Sequence, residues 1–121
     1  MDATQFRTLV CGNLANYLWD GECCRLVDFE DSGVSDRAYE VADLVEHVSV
    51  TLTGALDGDE LVEQLDLDEV LAGRVLRMRR LLATFWLHML LPGNRAHHRN
   101  PAGSVERQAE RTLVLLARAE A

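Results

Sequence analysis

The sequence predicts an α+β fold that is mostly helical, a short β-hairpin followed by about four helices. Three observations predict it. The β-prone runs between Thr8 and Phe29 are short and are cut by the breakers Gly12-Asn13 and Asp20-Gly21. From Ser35 onward apolar residues recur at helical spacing, with acidic residues placed to cap. At 121 residues and 48% hydrophobic content, the chain suffices for one buried core, so a single domain is expected. Residues 1–34 form its loop and hairpin region and residues 35–121 its helical region.

Thr8-Leu9-Val10 is the first β-prone run, Tyr17-Leu18-Trp19 the second and Cys24 to Phe29 the third, with Asp20-Gly21 as the hairpin turn between the last two. Pairing across that turn brings Asn16, just before one strand, and Asp28, near the end of the other, to the same end of the hairpin. An amide oxygen and a carboxylate, completed by water and phosphate oxygens, is a ligand set that Mg²⁺ accepts. The same residue types also serve as plain turn former and cap.

Asp36 is placed to cap a helix from Arg37 to about Leu52 whose apolar side is Val41, Leu44, Val45, Val48 and Leu52. Asp57 with Glu60, and Asp66 with Glu69, have cap-plus-three spacing. They predict a short helix and then a long one from about Asp68 to Leu91, ended by Pro92-Gly93. The long helix carries the stripe Leu71, Val75, Met78, Leu82, Phe85, Trp86 and Met89, read as core, with Arg74, Arg77, Arg79 and Arg80 mainly on the opposite faces. A polar connector, Pro92 to Gly103, leads to a last helix from Val105 to about Ala119, capped by Ser104, with Val105, Ala109, Leu113 and Leu116 on one face. His47 and His88 read as packing or surface residues, and the His97-His98 pair as surface loop, since a metal site needs further ligands.

The run Gly12-Asn13-Leu14-Ala15-Asn16-Tyr17-Leu18-Trp19-Asp20-Gly21, then Leu26-Val27-Asp28-Phe29-Glu30-Asp31, then Ser35-Asp36-Arg37-Ala38-Tyr39-Glu40-Val41-Ala42-Asp43, resembles the C-terminal lobe of the aminoglycoside phosphotransferase and choline kinase family. These are small-molecule kinases of protein-kinase-like fold. The resemblance spans roughly Leu9 to Glu46 and implies a kinase-like C-lobe working with Mg²⁺ and ATP on a small-molecule hydroxyl or amine compound. By position, Asn16 matches the loop Asn that binds Mg²⁺, Asp28 the metal-binding Asp, and Asp36 the acid that begins the next helix and tethers the catalytic loop. Glu30 and Asp31 become candidate cleft acids.

The family motif reads His-Gly-Asp before the loop Asn. Here Val10-Cys11-Gly12-Asn13 runs straight on to Leu14-Ala15-Asn16, as though that tripeptide were cut out after Cys11, leaving Asn13 at best a vestige. Aligned that way, or with Cys11, Gly12 and Asn13 set on His-Gly-Asp itself, the sequence lacks the carboxylate that deprotonates the attacking hydroxyl. All 12 basic residues are Arg, so the Lys that pairs nucleotide phosphates has no candidate, and neither a Gly-rich phosphate loop nor an N-lobe is in evidence. Three readings follow: a phosphotransferase-family lobe inactive as it stands, a pseudokinase-like binding module, and a subunit whose N-lobe comes from another polypeptide. An exposed lobe face would suit a homodimer or such an N-lobe partner.

A net charge of −8 argues against nucleic-acid and anionic-membrane partners. The acids at Glu30-Asp31, Asp36 to Glu46 and Asp57 to Glu69 line a cleft for an amine or are solvated helix faces, the second being the commoner case. Cys11, Cys23 and Cys24 lack metal or disulfide spacing and read as free thiols of a cytoplasmic protein. No signal-like segment is seen, and the apolar stretch Leu81 to Leu91 is too short to span a bilayer.

Overall fold

A computed structural model describes residues 5–8, 14–27 and 33–119. Strands β1 (Gln5–Thr8) and β4 (Gly33–Asp36) pair antiparallel, and β2 (Tyr17–Trp19) pairs antiparallel with β3 (Cys24–Leu26). Five helices follow: α1 (Arg37–Glu46), α2 (Val48–Thr51), α3 (Gly58–Gln64), α4 (Glu69–Leu90) and α5 (Ser104–Ala117). The α+β, mostly helical character is as read from the sequence. The β1–β4 pairing is an addition, since the sequence placed the first strand at Thr8 to Val10 and gave it no partner.

Helix α4 is the spine, with α1 packed along one side and α5 along another. Small residues permit the close approach: Ala38, Ala42 and Ala83 have no exposed surface. Ala38, Leu71 and Val75 form the centre, with Val41, Val62, Leu67 and Met78 packed around it. The predicted α1 face is therefore rotated, its buried seam being Ala38, Ala42, Val45 and Glu46.

The predicted helix from Arg37 to Leu52 is interrupted at His47, whose ψ of 139° is extended. The reason is local: Val48-Ser49-Val50-Thr51 is a poor helix-forming run, and the His47 ring accepts the Ser49 N–H, which starts α2 afresh. Asp57 caps α3 as predicted, accepting from the N–H groups of Asp59 and Glu60. The cap of α4 is Asp68, which accepts the Leu71 N–H at 2.8 Å, not Asp66. Asp66 instead turns the chain out of α3 in a left-handed conformation with φ 47°. Ser104 lies inside α5; Gly103, with φ 88°, occupies the cap position, and the Ser104 hydroxyl donates back to the Pro101 carbonyl.

The face of α5 turned to α4 is more polar than its spacing suggested. Gln108 and Thr112 are buried, the Gln108 amide donating to the Ala83 carbonyl at 2.9 Å and the Thr112 hydroxyl to the Gln108 carbonyl at 2.8 Å. Leu115 is the buried apolar residue of that face, whereas Leu113 and Leu116 are exposed together with Val114. On α4, Phe85 is 48% exposed rather than core.

Two glycines make opposite predictions. A Cβ at Gly58, at the start of α3, would lie 2.9 Å from Val45 Cβ, so α3 reaches α1 only because this residue has no side chain. Gly58→Ala is expected to cost about 1–3 kcal/mol through overpacking, despite alanine's helix preference. At Gly73, mid-α4, a Cβ would meet nothing nearer than an Arg77 guanidinium nitrogen at 3.7 Å, and Gly73→Ala is expected to stabilise by about 0.5–1 kcal/mol. Urea melts of the two variants check both signs.

Candidate functional site

The β2–β3 register sets Tyr17 against Leu26, Leu18 against Arg25 and Trp19 against Cys24. The turn is wider than a two-residue Asp-Gly link. It spans residues 20–23, closed by the Asp20 N–H to the Cys23 carbonyl, with Gly21 at φ 103°. Asp20 Oδ1 accepts the N–H groups of Cys23 and Glu22, both at 2.9 Å, and these bonds hold its carboxyl below the ordinary carboxylate value. Cys23 and Cys24 are exposed free thiols.

Asn16 ends the 3₁₀ turn Leu14–Asn16 and is 7% exposed. Its carbonyl oxygen accepts the Val27 N–H at 3.0 Å, which continues the ladder one step beyond Tyr17 and Leu26. Asp28 is the next residue in the chain after Val27 and lies outside the described residues, as do Asn13, Glu30 and Asp31. Among the described residues, no group of three or more His, Cys, Asp or Glu side chains is arranged to hold a metal.

Asp36 caps α1, its Oδ1 accepting the Ala38 N–H at 2.9 Å and the Tyr39 N–H at 3.3 Å. Its second oxygen pairs with Arg74 of α4, and that guanidinium, ahead of the backbone bonds, holds the Asp36 carboxyl below its ordinary value. The tie observed at Asp36 is thus between β4, α1 and α4. The loop over residues 9–13 that it was expected to tether lies outside the described residues.

Sequence reading missed an ionic network. Glu46, placed on a solvated face by its neighbours in sequence, has no exposed surface, and Arg79, assigned to the outer face of its helix, is 3% exposed. Arg79 Nε donates to Glu46 Oε1 at 2.7 Å, and Arg111 donates to both Glu46 oxygens at 2.6 and 2.8 Å. Arg79 also reaches Asp59 Oδ1 at 2.9 Å, and Arg118 grips both Asp59 oxygens at 2.9 Å. Arg118 first, then Arg79, pulls the Asp59 carboxyl far below the usual carboxylate range. The network ties α1, α3, α4 and the end of α5. Its one sequence signal is an acid, Glu46, four residues beyond Ala42 on the buried seam of α1.

A groove lies beside the turn that carries Asn16, because α2 packs on that turn and also forms one wall of the groove. Its volume is about 420 Å³, and His47, Ser49, Trp86, Arg95, Arg99 and Asn100 are among its lining residues. The His47 ring meets the Trp86 indole edge-on, with centroids 4.8 Å apart, and Phe85 does the same at 5.3 Å. Burial pushes the His47 imidazole down to about 4, so it is neutral at pH 7. The two other histidines of the connector region make a local contact, and His97 Nδ1 lies 2.9 Å from the Leu90 carbonyl, a capping role at the end of α4 rather than a ligand role.

No helix among the described residues is long and apolar enough to cross a membrane. The chain matches no family model, no curated protein and no solved structure.

Proposed function

We propose that the chain is a phosphotransferase-type lobe akin to aminoglycoside phosphotransferases and choline kinases, one that binds Mg²⁺ and nucleotide phosphates through Asn16 and Asp28 without turning over. The observation that carries this reading is the Val27 N–H to Asn16 carbonyl bond of 3.0 Å, which sets Asn16 alongside the residue preceding Asp28. An amide and a carboxylate at one end of a hairpin would suit a hard cation that takes oxygen ligands and keeps several waters. Bound there, Mg²⁺ would neutralise charge on the nucleotide phosphates.

The chain's own groups have separate parts in this reading. Asn16, buried and held in the ladder through its backbone carbonyl, is the residue whose side-chain oxygen would reach the cation. Asp36 fixes the start of α1 against α4 through Arg74. A base to take the proton of an attacking hydroxyl is what the sequence lacks, since Cys11, Gly12 and Asn13 supply no carboxylate or imidazole there. Binding without catalysis is the consequence.

Thermal melts with Mg²⁺ and ATP test the proposal. Ligand at a hundredfold excess over its dissociation constant stabilises the native state by about 2.7 kcal/mol. A rise in melting temperature that needs both components and is lost in Asp28→Ala, with no ADP formed, is the expected result. A melt indifferent to both, or one that Asp28→Ala leaves responsive, overturns it.

A further inference from the structure

The groove between α2, α4 and the connector has a charge unlike the rest of the molecule. The chain carries 20 acidic residues against 12 Arg, yet among the described residues no carboxylate lines this groove and two arginines, Arg95 and Arg99, do. Neither guanidinium has an acid partner among the described residues, in contrast to Arg74, Arg79, Arg111 and Arg118, each of which is paired. Val48, Trp86, Met89 and Ala96 form the apolar part of its lining. Trp86 is half-buried and its indole is set at 70° to the His47 ring and 72° to Phe85, so its plane is fixed before any ligand arrives. Asn100 donates one amide hydrogen bond to the Ala96 carbonyl, which leaves its side-chain oxygen to accept from a ligand hydroxyl.

We propose that this groove binds a small molecule built of a planar ring and an anionic group, carboxylate or phosphate, with the ring against Trp86 and the anion between Arg95 and Arg99. Guanidinium groups bind such anions through paired, charge-assisted hydrogen bonds, and an indole face adds contact with the ring. A cationic amine, the substrate chemistry that acidic clefts favour, meets two like charges and, among the described residues, no counter-ion here. Resting on the phosphotransferase reading, the groove's position beside the Asn16 turn makes it the acceptor subsite, and the acceptor class becomes hydroxylated aromatic acids and phosphates.

Four probes of one ring size and different charge test this: 4-hydroxyphenylacetate and phenyl phosphate as anions, 4-hydroxyphenethyl alcohol as the neutral analogue, and tyramine as the cation. Binding is read from the Trp86 indole N–H resonance of the whole chain in ¹⁵N spectra, with exposed Trp19 as internal reference and without Mg²⁺ or nucleotide. At least one anion is expected to bind about tenfold or more tighter than the alcohol, and tyramine weakest, as charge-assisted bonds require. A preference for the carboxylate or for the phosphate identifies which anion the groove suits. The preference is expected to vanish in the Arg95→Gln, Arg99→Gln double variant and to persist in Arg107→Gln, a surface change on α5 outside the groove. Equal binding of anion and alcohol, tighter binding of tyramine, or a preference that survives the double variant overturns the proposal. Because no metal or nucleotide is present, loss of the Mg²⁺ and ATP response described above would remove the acceptor assignment and leave the anion preference as measured.

Discussion

Replacing Glu46 by Gln is expected to lower the melting temperature by about 10–20 °C, the largest effect of any single change away from the core alanines. Glu46 has no exposed surface and is the shared partner of Arg79 and Arg111. Removing its charge leaves the Arg79 guanidinium, 3% exposed, with Asp59 alone. Breaking a buried pair on one side costs about 3–5 kcal/mol, because the remaining charge keeps its desolvation penalty and loses its compensation. For a domain of this size each kcal/mol moves the midpoint by roughly 3–6 °C.

The double variant Glu46→Leu, Arg79→Met separates charge from packing. Buried ion pairs exchanged for apolar groups of similar volume are often neutral in stability, so most of the loss is expected to return. Arg111, which is 28% exposed at its side chain, can turn to water, and Asp59 keeps Arg118. Urea melts of the single and double variants give the coupling energy directly. A double variant as unstable as the sum of its singles would show that the network's geometry, not its uncompensated charge, carries the stability.

Acidification is expected to remove on the order of 2 kcal/mol of stability between about pH 6.5 and 4, traced to His47. Burial holds the folded imidazole down to about 4. The unfolded chain takes up a proton at its ordinary value near 6.5. In the window between, the unfolded state therefore binds more protons than the folded one. The contribution is fully present above pH 6.5 and is lost as pH falls through the window. Nδ1 of the ring accepts the Ser49 N–H at 3.1 Å, a bond that protonation removes. The full shift would be worth more. A partly exposed ring is credited with only part of it.

His47→Asn is the informative variant, since an Asn oxygen accepts the same N–H and does not titrate. Melting temperature against pH should flatten between 6.5 and 4 in that variant while the wild-type curve falls. The Asp59 carboxyl, held low by Arg118 and Arg79, contributes stability above the ordinary carboxylate value. That part is lost only at lower pH, so the two windows are distinct. A wild-type curve that is flat to pH 4.5 contradicts the assignment to His47.

How much of this was legible in the sequence depends on which interactions are local. The hairpin, the Asp57 cap and the extent of α4 were readable because each rests on residues within a turn of one another. Asp68 takes the place of Asp66 because a left-handed residue is needed to leave α3, and that is a geometric demand no cap-spacing rule encodes. The break at His47 rests on the weak helix formers Val48 to Thr51 and on the ring that accepts the Ser49 N–H, neither of which hydrophobic periodicity registers.

The face of α5 was misread for a related reason. Gln108 and Thr112 can be buried only because the Ala83 and Gln108 carbonyls are there to accept, and hydrophobic spacing assigns such positions to solvent. Glu46 and Arg79 follow the same logic with charge: each is buried because the other is. As for the site, Asn16 was legible from its place before the β2 run, and its neighbour relation to the β3 end follows from the hairpin. The groove was not legible, since helical spacing puts Trp86 in the core and turn-rich composition puts Arg95 and Arg99 in a surface connector.

The central claim, that Asn16 and Asp28 share one cation, is tested most directly by paramagnetic broadening with Mn²⁺ in place of Mg²⁺. In ¹⁵N spectra recorded with ATP, broadening should centre on the Asn16 side-chain amide and on the backbone of Tyr17, Leu26 and Val27, the residues that flank it in the ladder. It should disappear in Asp28→Ala while the spectrum otherwise stays dispersed. Broadening that leaves Asn16 sharp, or that persists at Asn16 without Asp28, would contradict the account.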